Sequence, residues 1–273
     1  MTDNEQLWLH ALSDPLVNLK TSSNLIRFAD LDANGDVGLA VCDLNRKLKI
    51  FKGTSLQTEV PILDIPTALC VTYIDKAVPR TPCLAVAGGS YVFIYRNMRP
   101  YRKWTCPLVP IHDDELSVWS DLKEGVTTSI KAVIQLSDIR LAGVSLSTRS
   151  VELLGLQTNE KQEDFVEEWK HEECVQHSIV TCMETLKVDS DAADAMSCLV
   201  VGTENGEIFI VPPETSGSQV MATVKLPSVP VLLLASGLLD VEWRVAVICR
   251  DGRLYSIKNG DVRFRLNRVV LHA

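Results

Sequence analysis

One pattern of apolar and polar positions returns four times along the chain. In Leu39-Ala-Val-Cys-Asp-Leu-Asn-Arg-Lys-Leu-Lys-Ile-Phe51 a continuous apolar run leads into a polar turn, and then into a run where large apolar residues alternate with others. Residues 84–95, 199–211 and 245–257 repeat it. The pattern predicts β-hairpins whose first arm is buried on both faces and whose second is buried on one. Asn205-Gly206 and Asp251-Gly252 fall between the arms of the last two copies, where they readily supply the positive φ angles of a tight turn.

The intervals between copies set the architecture. They are 84 − 39 = 45 and 245 − 199 = 46 residues, within the roughly 40 to 50 of a four-stranded propeller blade. The middle interval, 199 − 84 = 115, leaves roughly 70 residues beyond one blade period, which predicts an insertion. The expected fold is all-β: an incomplete β-propeller of about four blades of a larger ring, with a helical insertion between the second and third blades. Residues 1–106 hold the N-terminal segment and blades one and two, 107–178 the helical insertion, and 179–273 blades three and four. A β-sandwich with chance similarity among its hairpins is the competing architecture, since regular strand spacing suits both.

Blade one is expected from strands at 25–29, 39–43, 47–51 and 57–61, and blade two from 68–74, 84–88, 91–96 and 101–106. Blade three is expected from the apolar run at 179–183 and strands at 197–202, 207–211 and 221–226; blade four from 227–234, 243–249, 253–257 and 263–266. Leu7-Trp-Leu-His-Ala-Leu12 reads as a short amphipathic helix that plugs an edge of the domain. Within the insertion, Leu116, Trp119 and Leu122 recur at helical spacing behind the acidic first turn Asp113-Asp-Glu115, and 129–141 and 148–173 are also helical. The last stretch carries Glu160, Glu163, Asp164, Glu167, Glu168, Glu172 and Glu173 beside an apolar stripe of Phe165, Val166 and Trp169. That stripe needs a surface to pack on, either the propeller rim or a neighbouring subunit.

Candidate chemistry is sparse. Asp30, Asp32 and Asn34 occupy positions 1, 3 and 5 of a calcium-type loop and Gly35 its sharp turn, but Val41 stands where the bidentate Glu belongs. A turn held by its own carboxylates accepting from backbone N–H groups explains the same residues. His171, Cys174, His177 and Cys182 are of zinc-ligand type, yet their spacing matches no common module and Cys182 lies in an apolar strand run, so no metal site is assigned. Nucleophile elbow, phosphate loop, His-Glu-x-x-His, dinucleotide fingerprint and sialidase-type Asp box are all missing from the sequence, so no catalytic or cofactor-binding residue is assigned and no enzyme is expected.

The net charge of −8 and pI near 5.2 argue against broad binding to nucleic acid or anionic membrane, while leaving room for a local basic patch. The start of the chain has no charged-then-apolar signal segment, so export through a signal peptide is not expected. The eight cysteines are then expected to be reduced, with Cys42, Cys70, Cys83, Cys198 and Cys249 serving as small core residues.

A family resemblance rests on Arg80-Thr-Pro-Cys-Leu-Ala-Val-Ala-Gly88, Val92-Phe-Ile-Tyr-Arg-Asn-Met-Arg-Pro-Tyr101, Ser197-Cys-Leu-Val-Val-Gly-Thr-Glu-Asn205, Leu226-Pro-Ser-Val-Pro-Val231, Asp240-Val-Glu-Trp-Arg244 and Cys249-Arg-Asp-Gly-Arg-Leu-Tyr255. In order, these blocks resemble the amino-terminal propeller of the family of the first Bardet-Biedl syndrome protein, a BBSome subunit. The match runs from 7 to 258 and weakens across 107–178, where family members carry a helical insertion. The resemblance implies a non-enzymatic subunit of a coat-like complex that sorts membrane receptors to and from cilia. Its implied partners are the other BBSome subunits, a GTP-bound Arf-like small GTPase and ciliary membrane receptors as cargo, without nucleic acid and with membrane contact only through the complex. The implied location is cytoplasmic, at the cilium, ciliary membrane and basal body. The alternative is a general propeller scaffold of another coat or signalling complex. In the family the GTPase surface joins the first and last blades; no short motif marks it, and no contact residue is carried over. The family continues with further blades beyond the point corresponding to Ala273. The ring is therefore expected to stay open, exposing Val41 and Phe51 on one flank and Val247 and Tyr255 on the other.

Overall fold

A computed structural model describes residues 18–214 and 219–266, with side chains to residue 263. The predicted helix at 7–12 lies outside the described residues. The chain folds as two compact units, Pro107–Ser178 and the remainder.

The larger unit is four four-stranded antiparallel blades of an incomplete β-propeller. Blade one is β1 (Ile26–Ala29), β2 (Gly38–Asp43), β3 (Lys47–Lys52) and β4 (Ser55–Pro61); blade two is β5 (Pro66–Thr72), β6 (Cys83–Gly88), β7 (Tyr91–Arg96) and β8 (Arg99–Thr105). Outside the helical unit, blade three follows as β9 (Val180–Lys187), β10 (Ser197–Thr203), β11 (Glu207–Val211) and β12 (Ala222–Lys225), and blade four as β13 (Pro230–Leu238), β14 (Glu242–Cys249), β15 (Leu254–Lys258) and β16 (Asp261–Leu266). The first strands of successive blades lie side by side, β1 by β5, β5 by β9 and β9 by β13. Leu238 even bridges Lys187 in parallel and fuses blades three and four into one sheet. Strands β5 and β13 each start on a proline, which needs no ladder hydrogen bond as first residue. Strand β13 also runs on to Leu238, past the predicted end at 234.

Three cores separate the four blades. Ala40, Cys42 and Ile50 meet Leu69, Leu84 and Val86 between blades one and two. Ala85, Ala87, Ile94 and Trp104 meet Leu199, Val201 and Phe209 between two and three. Cys198, Val200 and Ile210 meet Val245, Val247 and Ile257 between three and four. Successive residues of β6 and β10 thus serve opposite cores, which is why both strands are buried throughout. Side-chain size at these strands limits how closely blades approach: a Cβ on Gly202 would lie 2.7 Å from Cys182 Sγ and 2.9 Å from Pro230 Cγ. Polar groups caught between blades two and three are paired, Thr72 Oγ1 donating to Ser197 O at 3.1 Å and Trp104 Nε1 to Gln219 O at 3.0 Å.

The hairpin turns realise positive φ once each, at Gly206 (75°) and Gly252 (75°). Blade one places Arg46 (61°) there instead, a conformation costing a side chain roughly 1–2 kcal/mol. Buried Asp43 offsets it: its Oδ1 accepts from the N–H and side-chain amide of Asn45, both at 3.0 Å, and its Oδ2 pairs with the equally buried Lys49 at 3.2 Å. Burial alone would raise the Asp43 pKa, but the Asn45 N–H and Lys49 outweigh it and hold the carboxyl below its usual range.

The smaller unit consists of α1 (Asp113–Glu124), α2 (Ser129–Leu141), α3 (Thr148–Gly155) and α4 (Asn159–Trp169). Its own core joins Val118, Trp119, Leu122, Leu136, Leu153 and Val166. The apolar face read from α1 needs correcting: Leu116 is 41% exposed, and Glu115 is buried in its place. Both oxygens of its carboxylate accept from Ser147 N–H at 3.1 Å, and Oε1 also accepts from the hydroxyls of Ser147 and Ser150. Ser150 Oγ accepts from Trp119 Nε1. A buried anion at the start of α3 is favoured by the helix dipole and its N-cap, so α1 is joined to α3 by charge-assisted bonds.

The ends of the helical unit leave the propeller from one place. Cys106 N–H donates to Ser90 O at 2.9 Å and Val180 N–H to Gly89 O at 2.9 Å, so both strands attach to the β6–β7 turn. Within the helical unit the departing strands pair at Leu108 and His177.

Three outcomes follow. Replacing 107–178 by a short linker is expected to preserve the β-rich circular dichroism and a cooperative thermal transition, because loop length changes closure entropy by only about 0.6 kcal/mol per doubling; loss of the transition would refute this. Glu115→Ala is expected to weaken the helical signal, since each buried donor left unpaired costs about 1–3 kcal/mol. Asp43→Asn is expected to lower stability by up to about 3–5 kcal/mol, the cost of stranding buried Lys49, less what Glu59 Oε2 at 3.9 Å recovers. The wild-type advantage from the depressed Asp43 pKa is complete above the unfolded value of 3.8. It vanishes as pH falls through the lower folded value, so acid melts of the two proteins should converge.

Candidate interaction surfaces

The acidic loop between β1 and β2 is held from within. Asn34 N–H and Gly35 N–H donate to Asp30 Oδ1 and Oδ2 at 3.2 and 2.7 Å, and Asp36 N–H donates to Asn34 Oδ1 at 2.9 Å. Lys52 Nζ reaches Asp32 at 2.6 Å and Asp36 at 3.4 Å. The Gly35 N–H, above all, holds the Asp30 carboxyl below its usual range. These oxygens are spent on the turn itself, as the self-capped reading requires.

The four zinc-type residues are dispersed in character. Cys182 belongs to the core between blades three and four, where burial pushes its thiol up to about 12. Cys174 packs against the helical core and His171 is exposed. Among the described residues no three His, Cys, Asp or Glu gather as a metal site.

On α4, Val166 and Phe165 pack into the helical unit's own core against α2 and α3, while Trp169 at the end of the stripe stays 37% exposed. All seven acidic residues stay exposed. Arg149 stacks between Trp119 and Trp169, 5.2 and 5.3 Å from their centroids, and donates to the carbonyls of Glu172 and Glu173 at 3.0 and 2.7 Å. It thereby satisfies carbonyls just beyond the end of α4, and the acidic face is presented on an ordered helix.

The open flanks are apolar, and of the four expected residues only Phe51 stands on them. Val41, Val247 and Tyr255 are 1%, 0% and 2% exposed and Phe51 is half-buried. Strand alternation turns Val247 and Tyr255 into the core with blade three. Blade one presents the cross-strand row Phe28, Leu39, Phe51, Leu56, with Phe28 71% exposed. Blade four presents Leu232 beside Ile248 and Leu254, and Leu234 beside Ala246, with Leu234 66% exposed. Sequence reasoning missed these because Val231-Leu-Leu-Leu234 is a continuous run, which reads as buried on both faces. Such rows on a sheet face are built to receive another apolar layer.

A family model described as ciliary BBSome complex subunit 1 matches residues 8–258. BBSome complex member BBS1 of Mus musculus and that of Homo sapiens are each 38% identical over 257 residues, covering 92% of this chain and 43% of their own length. The chain therefore spans less than half the length of these curated relatives. A crystal structure of BBS1N in complex with ARL6DN, soaked with mercury, is similar with a TM-score of 0.69 and 30% identity, covering 96% of this chain and 62% of the other. The same complex soaked with lead gives 0.67 and 30% over 96% and 61%.

The flank geometry predicts self-association. The double change Leu232→Lys and Leu234→Lys is expected to alter stability by less than about 0.5 kcal/mol, as for surface sites, while shifting sedimentation velocity profiles towards the monomer. Unchanged association would show that this flank is not the contact.

Proposed function

The chain belongs to the ciliary BBSome complex subunit 1 family, and on that premise we propose that it is a non-enzymatic subunit of the BBSome coat-like complex, with its propeller recognised by a GTP-bound Arf-like small GTPase. The observation that carries this reading is the likeness, over 96% of this chain, to a BBS1N domain solved in complex with ARL6DN. In the complex it sorts membrane receptors to and from cilia, on the cytoplasmic side at the cilium and basal body. Contact with the membrane is indirect, through the GTPase and the other subunits. No helix among the described residues is long and apolar enough to cross a membrane.

Burial raises the pKa of all eight cysteines, to about 11 or 12 for seven of them, so none offers a thiolate nucleophile at neutral pH. The open apolar flanks are the kind of surface a multisubunit assembly covers.

Affinity purification from ciliated cells tests the reading. Other BBSome subunits should co-purify with the tagged chain, and an Arf-like GTPase should follow when locked in its GTP form. Recovery of a different coat, or equal binding of GTP and GDP forms, would overturn the proposal.

A further inference from the structure

The β7–β8 hairpin gathers cations on an otherwise acidic protein. Arg96 and Arg99 are register partners beside the turn, and Arg102 pairs with Ile94 on the same face of the sheet. A register shift between Ile94 and Tyr95 leaves Tyr101 as an extra residue next to Arg102, and such a bulge re-aims side chains. Blades one and four carry the same bulge at Gln57 and Arg263. The backbone device therefore belongs to the repeat, and the tyrosine at it is particular to blade two.

The cluster is ordered around Tyr101. The guanidinium carbons of Arg96 and Arg102 lie 5.7 and 5.0 Å from its ring centroid. Arg96 Nη1 donates to Asp75 Oδ2 at 2.6 Å, and Asp75 Oδ1 accepts from Ala77 N–H at 3.1 Å. Asp75 is the only carboxylate paired with the cluster among the described residues. Arg99 is exposed, and Arg102 Nη1 is buried with no hydrogen-bond partner, a state that costs free energy unless something accepts from it. Arg96, Asn97, Arg99, Pro100 and Tyr101 line an open cleft of about 540 Å3.

Three guanidinium groups against one carboxylate leave two positive charges, 3 − 1 = 2, which complements a phosphate monoester's charge of about −1.5 to −2. Arginine forks suit phosphate oxygens better than lysine does. Strand β8 is the last strand of its blade, and its outer edge pairs with no strand among the described residues, so an extended peptide has a backbone to lie against. A membrane is the poorer fit, because net charge −8 opposes an anionic surface while a discrete group needs only the local cluster.

We propose that Arg96, Arg99 and Arg102 around Tyr101 form a binding site for a phosphorylated side chain on an extended segment of a partner protein, seated along β8. This reading does not rest on the proposed function. The test uses the whole chain and an oriented library of peptides with a fixed phosphoserine, compared with the unphosphorylated library, inorganic phosphate, and phosphatidylserine vesicles. Retention of phosphorylated peptides is expected, with Arg99→Gln and Arg102→Gln each weakening binding by at least about tenfold, the loss of one charge-assisted bond. Lys103→Gln should leave binding unchanged, since Lys103 lies on the opposite face over Tyr91 and Phe93. Because Arg102→Gln could disturb the strand, exposed Arg99→Gln with an unaltered melt decides the outcome. Equal retention of both libraries, loss in Lys103→Gln equal to that in Arg99→Gln, or binding to vesicles and not to peptides would each overturn the proposal.

Discussion

Blades two and three are apolar on both faces because each is packed between two neighbours, and that stacking is the constraint on which the remaining structure depends. It explains why β6 and β10 read as unbroken runs of small and branched residues and why each tolerates a cysteine: Cys83 and Cys198 are fully buried fillers. It also explains why polar residues between blades, such as Thr72 and Ser197, are paired with each other. Gly202 marks the limit of the approach, for a single added carbon there would collide with the next blade. Stability in such an array is largely a sum over neighbouring interfaces.

The same logic separates what the propeller needs from what it carries. Three apolar cores hold the four blades together, and a fourth core belongs to the helices alone. The chain on either side of the helical unit is tied to the Gly89–Ser90 turn. The helical unit's internal order comes from a buried carboxylate, Glu115, and from Arg149 held between two tryptophans. It can therefore present an acidic helix as a defined surface.

The sheet faces at the two ends of the array and the arginine cluster on blade two are different kinds of surface. The former are extended and apolar and suit another layer of protein. The latter is small and charged and suits a single anionic group. The first kind suits a lasting contact, while the second is suited to a transient one.

Much of this was legible in the sequence, because blade strands repeat a local pattern and a period: the four hairpins, the interruption between the second and third, and the helices of 113–169 follow from apolar spacing alone. The glycines of 205–206 and 251–252 also marked their turns. Only the tertiary structure decided which face of each strand looks outward. A period of two does not say which parity meets a neighbour, so Val247 and Tyr255 turned inward while Leu232 and Leu234 stayed exposed. It alone showed that Glu115 is buried where Leu116 was expected, since an acidic residue in a first helical turn has the same sequence signature whether it meets water or Ser147. The cluster of Arg96, Arg99 and Arg102 was equally hidden. The three belong together through cross-strand register and a bulge, and no spacing rule along a single strand encodes either.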